Sequence, residues 1–169
     1  MPGTAQAIIF WMATLPLAAE PPQSASNYVA RGMQRFRDND VIGSLRDFER
    51  ATELDSRCGP HLWQRGISYY YQGEFKKARQ QFESHQSVNP HDVENAAWHS
   101  ICAAKIDGIS KARTSLIKID TARDTRIPLS VVYHFYAGHG PEESVLKAAA
   151  RAGTELARMY VHPLLGLSH

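Results

Sequence analysis

A chain of 169 residues with 43% hydrophobic and 21% charged side chains has room for one packed domain and lacks a disordered composition. Its 19 Lys and Arg against 17 Asp and Glu leave a formal charge of +2. That balance is too near neutral to favour nucleic acid or an anionic membrane, and no basic stripe with interleaved aromatics occurs. Two cysteines, Cys58 and Cys102, allow one bridge at most and provide neither a disulfide framework nor zinc spacing.

Residues 5–19 carry no charge and hold the apolar run Ala7-Ile8-Ile9-Phe10-Trp11-Met12, followed by Leu15-Pro16-Leu17-Ala18-Ala19. Such a stretch resembles a secretory signal peptide, although Met1-Pro2-Gly3-Thr4 lacks the usual Lys or Arg. The other reading of residues 1–19 is an apolar helix packed on the following domain. The stretch is short for a bilayer crossing, so no membrane span is expected. Cleavage would make the protein exported, periplasmic or secreted; otherwise it is cytoplasmic. No cysteine directly follows the cleavage point, which argues against a lipid-anchored form. Residues 20–25, with Pro21-Pro22, read as a linker.

The helical domain is expected over 26–169. Its first unit, about 26–58, comprises a helix over 26–37 with Ser26 as N-cap, a turn at 37–40, and a second helix over 41–54 with apolar residues Val41, Leu45, Phe48 and Ala51. The second unit, about 59–92, starts a helix at Pro60 that runs to Tyr71, turns at Gln72-Gly73, and continues over 75–88 until Asn89-Pro90 stops it. The third, about 93–119, holds a helix over 93–105 behind His91-Asp92, a break at Gly108, and a helix over 109–119. The charged stretch 120–126 interrupts the pattern. Degenerate units follow over 128–169, with helices expected at 128–137 and 141–152, and an apolar segment at 156–167 resembles an uncovered opening helix.

These units recur with a period of 34. Gly32 returns as Gly66, Phe36 as Tyr70 and Glu49 as Glu83. Three columns extend into the third unit: Val41, Phe75, Ile109; Ser44, Ala78, Ala112; and Phe48, Phe82, Leu116. Small residues where two helices approach closely, alternating with large ones that fill the remaining space, are what interdigitated helix packing requires. Paired helices repeating at this period bury their apolar faces against neighbours, and such arrays bind proteins more often than they perform chemistry.

The columns resemble the tetratricopeptide repeat (TPR) family through Gly66, Tyr69, Ala78, Phe82 and Pro90, and through Gly32, Ser44, Phe48 and Ala51. The resemblance implies an all-α, right-handed superhelical stack of helix-turn-helix repeats. It also implies a non-catalytic scaffold or adaptor whose first helices line a concave groove for a protein or peptide partner. By family position the groove residues are Met33, Phe36 and Arg37, then Trp63, Gln64, Ile67 and Tyr70, then Trp98, Ile101 and Lys105. Val29, Tyr71 and Ala97 occupy further groove columns. The family branch that grips a carboxylate through Lys and Asn has Val29 and Met33 at those positions here, so that ligand is not expected. The implied location is similar to that of bacterial periplasmic TPR adaptors. Tyr69, Tyr70 and Tyr71 cannot all face inward on one helix, and Tyr69 holds the repeat's core position.

Two other readings stay open. Residues 156–167 would pair with their copy in a homodimer, making the chain an assembly module. A metal-dependent enzyme would use His134 and His139, but their spacing, like that of His85 and His91, misses the one-turn interval that places two ligands on one helical face. Cys58 beside His61 lacks a third, orienting group. No catalytic residue, metal or cofactor is therefore expected, with Cys102 a buried small hydrophobe and Cys58 a surface thiol.

Overall fold

The computed structural model describes residues 24–124, 126 and 129–152. The apolar stretch 1–19, most of the 20–25 linker and the apolar segment 156–167 lie outside them. Among the described residues the chain is all-helical, without a strand, an architecture compatible with a helical repeat.

Helix α1 (Ala25–Arg37) starts within the expected linker, because Ser24 rather than Ser26 is its N-cap and its Oγ accepts from Asn27 N–H at 3.3 Å. Helix α2 (Val41–Leu54) matches expectation and is capped by Asp40, whose carboxylate accepts from Gly43 N–H at 2.9 Å. Pro60 does not open the next helix. It sits inside a 3-10 turn, Ser56–His61, and α3 (Trp63–Tyr71) begins only after it. Helix α4 (Phe75–His85) ends before Val88, with the chain turning ahead of Pro90.

Helix α5 (Val93–Asp107) is capped by Asp92 and stopped by Gly108 at φ +86°. It is buried almost all round, as a helix must be when α3, α4, α6 and α7 all pack against it. Helix α6 (Ile109–Thr114) is much shorter than the expected 109–119. The hydroxyls of Thr114 and Ser115 donate to the carbonyls of Lys111 and Ala112, competing with the helix ladder. Beyond them Tyr133 donates to the Ile117 carbonyl at 3.1 Å, tying that non-helical stretch to α7. A short 3-10 turn (Thr121–Arg123) leads to α7 (Leu129–Tyr136) and α8 (Glu142–Ala152).

The period of 34 is visible in contacts. A Cβ on Gly32 would stand 2.8 Å from the Phe48 ring, and one on Gly66 would stand 2.6 Å from the Phe82 ring. Arg31 donates to Asp47 at 2.7 and 2.8 Å; 34 residues on, Arg65 donates to Gln81 at 2.7 Å. The turn residue with positive φ is Asn39 in the first hairpin and Gly73 in the second, also 34 apart. Ser44, Ala78 and Ala112 are all buried. Between the hairpins Ser44 and Ser68 share a hydrogen bond of 3.0 Å, and the Tyr69 hydroxyl donates to Glu49 at 2.9 Å. Burial and the Glu49 carboxylate push the Tyr69 pKa up to about 12.

Candidate partner-binding face and its cavity

The side chains placed on the groove by family position divide into two groups. Phe36, Met33 and Tyr70 are half-buried, while Arg37 and Lys105 are exposed. Trp63 and Tyr71 are large aromatics that keep 41% and 64% of their surface exposed. Phe36 meets Trp63 edge-on, with ring centroids 6.4 Å apart, so α1 and α3 join in one aromatic strip. Tyr70 touches Tyr71 on one side and Trp98 on the other.

Gln64, Ile67, Trp98 and Ile101, also placed on the groove by family position, are buried. Ile67, Trp98 and Ile101 join the main core with Phe82, Leu129 and Val132. Trp98 stacks on Phe82 with ring planes 16° apart. The reason is tertiary: α7 packs over α5 and supplies Leu129 and Val132 to cover a face that two bare helices would leave open.

A cavity of about 220 Å³ opens beside Trp63. Its apolar wall is Trp63, Trp98 and Phe82; its polar wall is His85, Asp92, Glu94, Asn95 and Arg126. The polar wall is built at the start of α5. Asp92 accepts from Glu94 N–H at 2.9 Å and Asn95 N–H at 3.5 Å, while Asp124 accepts from Val93 N–H at 3.2 Å. These carboxylates satisfy backbone donors that the helix leaves unpaired and oppose its positive end. Arg126 binds all three acids of the cluster, at 2.6 Å to Glu94, 2.9 Å to Asp92 and 2.7 Å to Asp124. Its bonds to Asp124, with Glu94 and Asp92 close by, raise its pKa against the opposing effect of burial. Burial would raise Asp92 and Asp124, but His85 and Arg126 hold Asp92, and Arg126 and the Val93 N–H hold Asp124, below the ordinary carboxylate value.

His85 Nδ1 lies 2.8 Å from the Pro60 carbonyl, which can only accept, so Nδ1 carries a proton. Nε2 stands 3.8 Å from Asp92 and makes no hydrogen bond. The Asp92 carboxylate raises the His85 pKa against the effect of burial. Asn95 donates to the Phe82 carbonyl at 3.0 Å, yet its Oδ1 accepts from no donor.

In the sequence Asp92 merely precedes the 93–105 helix, and 120–126 interrupts the pattern. Nothing local joins Asp92 to Arg126, which lie 34 residues apart and meet only through the path of the chain after α6.

Cys102 is buried, Cys58 is half-buried rather than a surface thiol, and neither is bridged. Burial pushes the Cys102 thiol up to about 12 and raises Cys58 as well, so neither forms a thiolate readily. The His134 and His139 rings lie 6.4 Å apart, and among the described residues no group of three or more His, Cys, Asp or Glu could hold a metal ion. No described helix is long and apolar enough to cross a membrane.

A Haemophilus influenzae protein named "Lipoprotein NlpI homolog" is 25% identical to this chain over 129 residues, covering 76% of the chain and 41% of the relative. The chain thus spans less than half the length of that relative. No family model matches it. No solved structure matches it significantly.

Proposed function

We propose that the chain is a non-catalytic helical-repeat adaptor that holds an extended segment of a protein partner along the strip formed by α1 and α3. The observation that carries this reading is the exposure of Trp63 and Tyr71, with Phe36 set edge-on beside Trp63. Large aromatics gathered on one face while the core is already filled mark a contact surface, since they bury much area at small entropic cost. The repeated hairpins provide a rigid support for that face. The likeness to a lipoprotein is consistent with an exported location, and the uncharged 1–19 stretch is the segment through which export would act.

The test places a photo-reactive benzoylphenylalanine at Tyr71 in the full chain, expressed in its native host, with exposed Lys76 on α4 as the control position. Crosslinking to a defined protein from position 71 but not 76, abolished by Trp63→Ala with helical content unchanged, is the expected result. Equal crosslinking from both positions, or none from either, refutes the adaptor reading.

A further inference from the structure

We infer that the cavity beside Trp63 receives a cationic side chain, arginine or lysine, from the bound partner; the inference rests on the adaptor reading. At about 220 Å³ the cavity is smaller than the roughly 300–1,000 Å³ of sites for drug-sized ligands, so it suits one side chain rather than a whole small molecule.

Its lining selects the charge. Among the described residues three carboxylates, Asp92, Glu94 and Asp124, each accept from the Arg126 guanidinium, so the wall is one that already holds a cation. The backbone N–H groups of Val93, Glu94 and Asn95, which could otherwise attract an anion to the start of α5, already donate to these acids. The hydrogen-bonding capacity that is left is acceptor capacity. Asn95 Oδ1, on the same wall, receives no donor. The Asn95 side chain is more than nine-tenths buried. Two indoles and a phenyl ring complete the wall, the side-chain type that attracts a cation through its π face and accommodates the apolar stem of Arg or Lys. Arg126 itself demonstrates the chemistry in cis: a guanidinium from a non-helical segment rests on Asp92 and Glu94.

The experiment uses the ¹⁵N-labelled full chain titrated at fixed ionic strength with N-acetyl-arginine methylamide, the lysine analogue and the glutamate analogue. The arginine and lysine compounds are expected to shift the Trp63 indole N–H and the Asn95 side-chain amide saturably, and the glutamate compound is not. Glu94→Gln should weaken arginine binding about threefold to tenfold, the worth of one charge-assisted bond. Arg126→Gln should strengthen it by releasing Asp92 and Glu94, an effect that a merely structural role would not produce. Circular dichroism checks each variant, and if Glu94→Gln unfolds, Arg126→Gln decides alone. Absence of saturable shifts, equal response to the glutamate compound, or no gain in Arg126→Gln overturns the inference. Crosslinking from position 71 with no response to arginine would leave the adaptor reading standing while the cation site falls; the reverse pattern separates them the other way.

Discussion

The first two hairpins and the segment after Pro90 use the same kind of helix pair but stay closed by different means. In α1–α4 three kinds of contact have a copy 34 residues on: glycine against phenylalanine, arginine against the polar residue at position 47 or 81, a left-handed turn residue at 39 or 73. From α5 onward the copies fail. Ser100 stands where glycine should, α6 ends before Leu116, and the hairpin is held by α7 and by Arg126 bridging Asp92, Glu94 and Asp124. Repetition persists where a neighbouring hairpin supplies the packing surface. Where the stack is covered by a differently placed helix, long-range contacts replace it, and the cavity lies at that boundary.

The largest effect tests the boundary itself. Trp98→Ala removes the ring that joins Phe82 of the second hairpin to Tyr70 and the α5 core, and should cost about 3–5 kcal/mol in urea unfolding. Trp63→Ala, at an exposed ring on the same cavity, should stay within about 0.5 kcal/mol. Equal losses at the two tryptophans would erase the distinction between core and contact surface.

Next in size is the glycine column. In Gly66→Ala the new methyl stands 2.6 Å from a fully packed Phe82 ring, and overpacking of this kind costs about 1–3 kcal/mol. That outweighs the gain of up to about 1 kcal/mol that alanine brings to a helix interior. Phe82→Leu in the same chain should recover part of the loss. At Ser100, in the third unit, the sign of the logic reverses. The residue that copies Phe48 and Phe82 is Leu116, which lies past the end of α6, so Ser100→Gly should relieve nothing and cost about 0.5 kcal/mol through backbone entropy. A stabilised Ser100→Gly variant would mean that the third hairpin is packed like the first two.

The hairpins were legible in the sequence because Gly32 with Phe48, and Gly66 with Phe82, are near in the chain and recur at one spacing. The Arg31–Asp47 and Arg65–Gln81 pairs recur as strictly but escape notice, since Asp and Gln look unrelated until both are seen accepting from the same arginine position. Leu116, Ile117 and Ile119 read as helical apolar residues, and only the Tyr133 bond and the packing of α7 show why they leave the helix. The same α7 cover buries Trp98 and Ile101, which no pattern within α5 foretells. The cavity's acids were visible as letters, but their meeting with Arg126 depends on a chain path that no local pattern encodes.

The smallest effect concerns two histidines that touch the two regions with opposite sign. His85, on α4, has its pKa raised by Asp92, so the folded state binds its proton more tightly than the unfolded chain. Its contribution is fully present below the unfolded value and is lost as pH rises through the folded one. His99, on α5, has its pKa lowered by burial despite Glu83 at 3.2 Å, so the unfolded chain binds the proton more tightly. Its neutral form stabilises the fold above the unfolded value, and that contribution is lost as pH falls through the unfolded value toward the folded one. Urea midpoints measured from about pH 5 to 8, the range over which histidine charge changes, should separate the two. His85→Gln should flatten the decline on the alkaline side and leave the acid side unchanged. His99→Gln should flatten the acid side alone. If both substitutions altered the same limb, the Asp92–His85 contact would not distinguish the cavity wall from the buried α4–α5 seam. The contrast between the two regions would then rest on packing without its electrostatic part.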